Sequence, residues 1–244
     1  MHVCRGWRQV VFATPLRLDL QIRCTSTTPI RKHLGIWPAL PISVYYSRLQ
    51  NRNNISKEDN IVNALEHNDR VCNVTLDYVT GSDLRKIFTV MQAPFPVLTS
   101  LHISSSDPGI APALPVEFLE GSAPRLRSIY LSGIPFSALP TLLLTTSDHV
   151  DLDLRKILRT GYISPEAMIV GLAALPRLHT FSIGFRSATP RPGRIYPPPV
   201  TRIVLPVLTY CYFKGCQLVC GGPRFPNRRT STGPDPHILL ESAC

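Results

Sequence analysis

Four stretches of the chain repeat one pattern of apolar and polar positions, P-x-L-x-x-Φ-x-Φ, where Φ is apolar. They are Pro96 to Ile103 (PVLTSLHI), Pro124 to Leu131 (PRLRSIYL), Pro176 to Ile183 (PRLHTFSI) and Pro206 to Phe213 (PVLTYCYF). The alternation at the end of each has the period of a half-buried strand. Their prolines are separated by 28, 52 and 30 residues, and the 52 is nearly two periods. A degenerate copy is therefore predicted halfway, where SDHVDLDL (Ser147 to Leu154) keeps Leu152 and Leu154. Working backward, RVCNVTLD supplies Val74 and Leu76, 27 residues before Leu101 and Ile103. Weaker copies are expected at Leu18/Leu20 and Ile42/Val44.

Periods of about 20 to 50 residues mark stacked architectures, and L-x-x-L-x-L at such a period is the leucine-rich-repeat pattern. One unit burying three or four aliphatic side chains cannot offset the ordering of nearly thirty residues; a shared core arises only when neighbours stack. The intervening segments supply the return path. GSDLRKIFTVMQ offers Ser82 as N-cap and Leu84, Ile87, Phe88 and Met91 on one helical face. ISPEAMIVGLAALP offers Ser164 as N-cap, Pro165 at the first helical position, and Ile169, Leu172 and Leu175 on one face. SKEDNIVNALEH starts a third helix at Ser56, with Asp59 three residues on, that buries Ile61, Val62 and Leu65. Prolines near 111–122 and 134–146 predict short or irregular turns there. The fold expected is α/β: a leucine-rich-repeat-like solenoid of about seven or eight units over residues 15–215, with a parallel sheet on the concave face and short helices or irregular turns on the convex face.

In-register stacking places the residues that alternate with the buried ones on the concave face. His102, Tyr130, Asp151, Asp153, Arg155, Ser182, Tyr210 and Tyr212 are the candidate partner-binding residues, with the tyrosines as anchors because Tyr, Trp and Arg dominate interface hot spots. Outward strand positions are polar in any half-solvated sheet, so their polarity alone does not demand a partner.

Composition alters this picture little. The 24 prolines, without low-complexity runs, read as punctuation between many short elements. The net charge of +10 sits at the two ends, whereas residues 54–185 carry thirteen acidic against ten basic side chains. Scattered arginines without interleaved aromatics do not form the footprint of a nucleic-acid groove. The first residues lack the apolar run of a signal peptide, and no stretch has the ~18 apolar residues needed to span a bilayer. Seven scattered cysteines fit a reducing compartment better than a disulfide framework, so a cytoplasmic or nuclear location is expected and the sequons at Asn54 and Asn73 carry little weight.

Candidate chemistry is sparse. Asp148, Asp151 and Asp153, with His149 between, have the spacing of an acid/base pair or a cation site. No nucleophile motif, phosphate loop or H-E-x-x-H accompanies them, and a solvated strand face near Arg155 and Lys156 accounts for the cluster. Cys216-x3-Cys220 is one half of a zinc pattern with only His237 and Cys244 downstream, and Cys211 reads as an inward strand residue, counterpart of Leu101, Ile129 and Phe181. RRTST, Arg228 to Thr232, has a basophilic phosphorylation pattern common by chance in basic tails. No catalytic residue, metal or cofactor is expected, and residues 216–244 read as a disordered tail.

The opening VCRGWRQVVFATPLRLDLQI resembles the junction in fungal F-box proteins where the box ends and a leucine-rich-repeat-like region begins. Val3, Cys4, Arg5, Trp7, Arg8 and Val10 match the last helix of the box, and Leu16, Leu18 and Leu20 the first strand. The phrases APFPVLTSLHI and GSAPRLRSIYLSGIPFSALPTLLL are similar to the repeat region of basidiomycete members, so the resemblance runs from about residue 3 to 213. It implies a non-enzymatic scaffold whose repeats recruit a target protein and whose box docks onto a Skp-type adaptor of a cullin ubiquitin ligase, with Val3, Cys4 and Trp7 as the docking remnant. The family's opening L-P-x-E-[IL] helix has no counterpart here, so residues 1–14 are expected to be a truncated box or an N-terminal cap. Two other readings remain: an incomplete or adaptor-independent repeat protein with no ligase role, and, more weakly, a basic nucleic-acid binder.

Overall fold

A computed structural model of the chain describes residues 5–6, 9, 13, 20–25, 30–36, 39–50, 58–136, 142–146, 148–158, 161, 165–186 and 203–214, and in it the repeated P-x-L is a turn. Leu98 donates its N–H to Phe95 O, Leu126 to Ala123 O, Leu178 to Leu175 O and Leu208 to Leu205 O, at 3.0–3.3 Å. Each proline is thus the second residue of a four-residue turn, where its fixed φ is already correct. The residue before the proline and the leucine after it are buried in all four turns, and the proline itself is exposed. The next residue sends its N–H to the preceding unit: Thr99 to Cys72 O, Arg127 to Thr99 O, His179 to Val150 O and Thr209 to His179 O, at 2.8–2.9 Å. The turn therefore delivers each new strand alongside the one before it.

The result is an α/β molecule with an eight-stranded sheet: β1 (Leu20–Arg23), β2 (Ile42–Ser47), β3 (Val71–Val79), β4 (Ser100–Ser105), β5 (Ser128–Ser132), β6 (Asp151–Ile157), β7 (Thr180–Phe185) and β8 (Tyr210–Lys214). Every adjacent pair is parallel, and the spatial order is the sequence order. One core row runs through Ile22, Val44, Val74, Leu101, Ile129, Leu152, Phe181 and Cys211. A second runs through Tyr46, Leu76, Ile103, Leu131, Leu154, Ile183 and Phe213. The copy predicted at Leu152/Leu154 and the assignment of Cys211 opposite Phe181 are both present.

The first two units differ from expectation. The core row enters β1 at Ile22 rather than Leu18/Leu20, and β2 contributes Val44 and Tyr46 rather than Ile42 and Val44. β2 buries Ile42, Val44 and Tyr46 alike, and its register against β3 shifts between Ile42 and Ser43, so alternation alone allowed either choice. Leu18 lies outside the described residues.

Four helices occupy the return path: α1 (Ile30–Ile36), α2 (Glu58–Leu65), α3 (Gly81–Val90) and α4 (Pro165–Ala173). α2 buries Ile61, Ala64 and Leu65 and leaves Val62 half-covered. α3 turns Leu84, Ile87 and Phe88 inward, with Met91 just beyond its end. Its cap is Thr80, not Ser82: Thr80 is extended, at φ −71 and ψ 157, and its Oγ1 accepts from Asp83 N–H, while the Ser82 hydroxyl bonds only to that of Thr80. α4 buries Leu172, with Leu175 beyond it, and Ile169 is half-covered; Ser56 and Ser164 lie outside the described residues. The proline-rich connection between β4 and β5 contains the irregular turn Phe118–Gly121, in which Leu119 and Glu120 are left-handed at φ 55 and 54.

Three strands leave the sheet in one way. After Leu76, Leu131 and Leu154 comes a polar residue, then a left-handed one (Tyr78, Gly133, Lys156), then a buried one (Val79, Ile134, Ile157). The left-handed residue adds one position to the alternation and turns the following side chain back into the core. Gly133 also has no room for a side chain, since a Cβ there would lie 2.8 Å from that of Pro108. No helix of the described residues is long and apolar enough to cross a membrane. Apart from residues 5–6, 9 and 13, the segments 1–14 and 216–244 lie outside the described residues.

Candidate functional site

Because the core rows occupy alternate positions, the positions between them form the opposite face. Its central row is Arg23, Tyr45, Thr75, His102, Tyr130, Asp153, Ser182 and Tyr212, one residue from each strand in sequence order. Asp151 and Tyr210 belong to the row beside it, flanking Thr180. Arg155 belongs to the row on the other side, next to Ser132. All eight residues expected to contact a partner are thus on one face of one sheet.

Within it, β3 to β6 carry a packed polar cluster. The rings of His102 and Tyr130 stack with centroids 4.0 Å apart and planes 12° from parallel. The Arg155 guanidinium lies 5.3 Å from the centroid of Tyr130. Both ends of this stack are tied by carboxylates. His102 Nε2 lies 2.9 Å from Asp77 Oδ1, and Arg155 donates to both carboxylate oxygens of Asp153 at 2.9 and 2.7 Å. That paired hydrogen bond is the first cause of the raised pKa of Arg155. A second cation–π pair lies near the first strand, with Arg23 5.4 Å from the Tyr45 ring centroid.

The cluster does not have the order of a serine-activating triad. Ser104 Oγ donates to the same Asp77 oxygen that His102 engages, at 3.3 Å. The carboxylate is therefore the middle group, whereas activation of a serine requires the imidazole between hydroxyl and acid. Burial pushes the Cys24 thiol up to about 12 and that of Cys211 up to about 11, which keeps both protonated and unreactive at neutral pH. Among the described residues no group of three His, Cys, Asp or Glu gathers as a metal site. Cys216, Cys220, His237 and Cys244, the RRTST stretch, and Val3, Cys4 and Trp7 lie outside the described residues.

The acidic trio of the sequence does not act as a unit. Asp148 pairs with Arg177 at 2.7 Å and Asp153 with Arg155, whereas Asp151 has no ion pair among the described residues and its charge acts on the buried His149, favouring the imidazolium. His149, expected on a solvated face, is fully buried. Its Nδ1 lies 3.3 Å from Leu126 O, and its Nε2 has no hydrogen-bond partner. The sequon at Asn73 is a structural amide: it donates to Ser43 Oγ at 2.9 Å and accepts from Thr99 Oγ1 at 3.0 Å.

The anchoring of His102 by Asp77 was not legible in advance. Alternation puts both outward, with Asp77 the diagonal neighbour of His102 across β3 and β4, but which of the polar groups on that face close on one another is not announced by residue type. Arg23 was missed because the first strand was set four residues early, at Leu18/Leu20 rather than from Ile22. No protein-family model, curated protein or solved structure matches the chain.

Proposed function

We propose that the chain is a leucine-rich-repeat-like solenoid acting as a non-enzymatic scaffold for protein–protein interaction, and that it is the substrate-recognition part of an F-box-type ubiquitin-ligase receptor in the cytoplasm or nucleus. The observation that carries the scaffold reading is the unbroken row from Arg23 to Tyr212, which presents one polar or aromatic side chain from every strand in sequence order. Strands following one another at intervals of 22 to 30 residues along the core row from Ile22 to Cys211 support a stack of similar units. Tyr130 and Arg155 are residue types that dominate binding hot spots, and their mutual contact reduces the entropy lost when a partner covers them.

The F-box assignment rests on the resemblance of Val3, Cys4, Arg5, Trp7, Arg8 and Val10 to the last helix of the box. Its test is co-expression with a Skp-type adaptor. Co-purification that is lost in Trp7→Ala supports the ligase role. A folded, soluble chain that leaves the adaptor behind is instead an adaptor-independent repeat scaffold.

A further inference from the structure

On the polar face, β7 carries only small side chains: Thr180, Ser182 and Gly184. In register on one side stand Asp151 and Asp153 of β6, and on the other Tyr210 and Tyr212 of β8. Neighbouring strands lie about 4.8 Å apart, so the two walls are separated by about 10 Å, the width of one inserted side chain.

Three features define what fits. Asp151 is half-buried, and its carboxylate has no hydrogen bond or ion pair among the described residues, whereas Asp77, Asp148 and Asp153 each hold a nitrogen donor. Tyr210 and Tyr212 are 44% and 42% exposed, and neither ring packs on another aromatic ring among the described residues. Ser182 is only 3% exposed, and no hydrogen bond of its hydroxyl is found among the described residues; the buried side-chain atom left unpaired there is His149 Nε2, so the Ser182 hydroxyl keeps contact with solvent. With Phe181 and Ile183 in the core rows, that hydroxyl belongs to the floor of the trough.

We propose that this trough seats a lysine or arginine side chain of the partner protein, its cation between the Asp151 carboxylate and the Tyr210 ring and one N–H donated to the Ser182 hydroxyl. The inference rests on the scaffold reading and adds the chemistry of what the scaffold takes. Asp153 is already neutralised by Arg155, so it forms wall rather than seat; Arg155 and Lys214 flank Gly184 at one end of the trough, and the negative charge is that of Asp151 beside Thr180 at the other.

The test uses nonapeptide pools with random flanks and a fixed central residue: arginine, lysine, citrulline, leucine or glutamate. The arginine and lysine pools should bind about tenfold tighter than the citrulline and leucine pools, and Asp151→Asn should abolish the preference without lowering Tm. Ser182→Ala should weaken binding of the arginine pool while leaving Tm unchanged or raised, an outcome a purely structural serine would not give. Equal binding of all pools, or a basic preference that survives Asp151→Asn, overturns the trough and leaves the scaffold reading standing. Failure of every pool to bind the folded protein overturns both.

Discussion

His149 stands at the position that Leu98, Leu126, Leu178 and Leu208 occupy in the other units, three residues before the first core residue of the strand. There it is fully buried, at a position that leucine fills in the other units. Its surroundings satisfy Nδ1, which donates to Leu126 O, and leave Nε2 bare. Burial pushes its pKa down to about 4 from the ordinary 6.5, because the cation cannot be solvated there. As pH falls below 6.5 the unfolded chain takes up the proton before the folded one does. Protonation of His149 therefore costs the fold nothing above pH 6.5, and stability falls by roughly 3 kcal/mol as pH drops from 6.5 to about 4. His149→Leu should raise stability at neutral pH by about 1–3 kcal/mol, through removal of an unpaired buried nitrogen. It should also flatten the pH dependence in that window. Urea melts of both proteins at pH 7 and pH 5 measure this, and parallel pH profiles would contradict it. Only the offset itself pointed to this: beside three aspartates a histidine reads as solvated, and the alignment with the four leucines alone places it inside.

At the scale of the single unit, turn and strand divide the work between core and surface. Leu126 closes its turn by donating to Ala123 O and is fully buried; Tyr130, four residues on, stacks against His102 on the opposite face. Leu126→Ala should cost about 2–5 kcal/mol, because neighbouring units fix the walls of the cavity. Tyr130→Ala should cost about 1 kcal/mol or less, the worth of a partly exposed stack, while its loss removes a binding anchor. Thermal unfolding of the two variants measures this, and equal losses would mean that the alternation is misplaced. Where a unit keeps its proline, its strand and register could be read directly, since the proline fixes the turn and the turn fixes the strand. In the second unit Pro38-Ala39-Leu40 stands one residue farther from its core position, Val44, than the spacing of the other copies, and three inward positions in β2 left the register open. The left-handed residues at Tyr78 and Lys156 were equally silent, for neither residue type favours that backbone.

At the scale of the molecule, each strand hydrogen-bonds only to its neighbours in sequence, so coverage of the core depends on having a neighbour on both sides. Val74, Leu101, Ile129 and Leu152 are at most 1% exposed. Toward β8 that coverage fails: Leu208 is 9% exposed where Leu126 and Leu178 are 0%, and Phe213, in the row of Leu131 and Leu154, is 47% exposed. The strand order that produces this gradient was implied by the spacing of the prolines; the gradient itself was not, because apolar residues continue undiminished to Phe213. A stack held by nearest neighbours opens from its less covered end more readily than from its middle. Native-state hydrogen exchange should therefore find the amides of Leu101, Ile129 and Leu152 slowest, and those of Cys211 and Phe213 exchanging at least about tenfold faster. Uniform protection from β3 to β8 would mean that the sheet opens as one unit and that β8 is held by more than its bonds to β7. The tyrosines of the proposed basic-residue seat belong to this last strand, so a bound arginine peptide should slow exchange in β8 selectively and leave β4 and β5 unchanged.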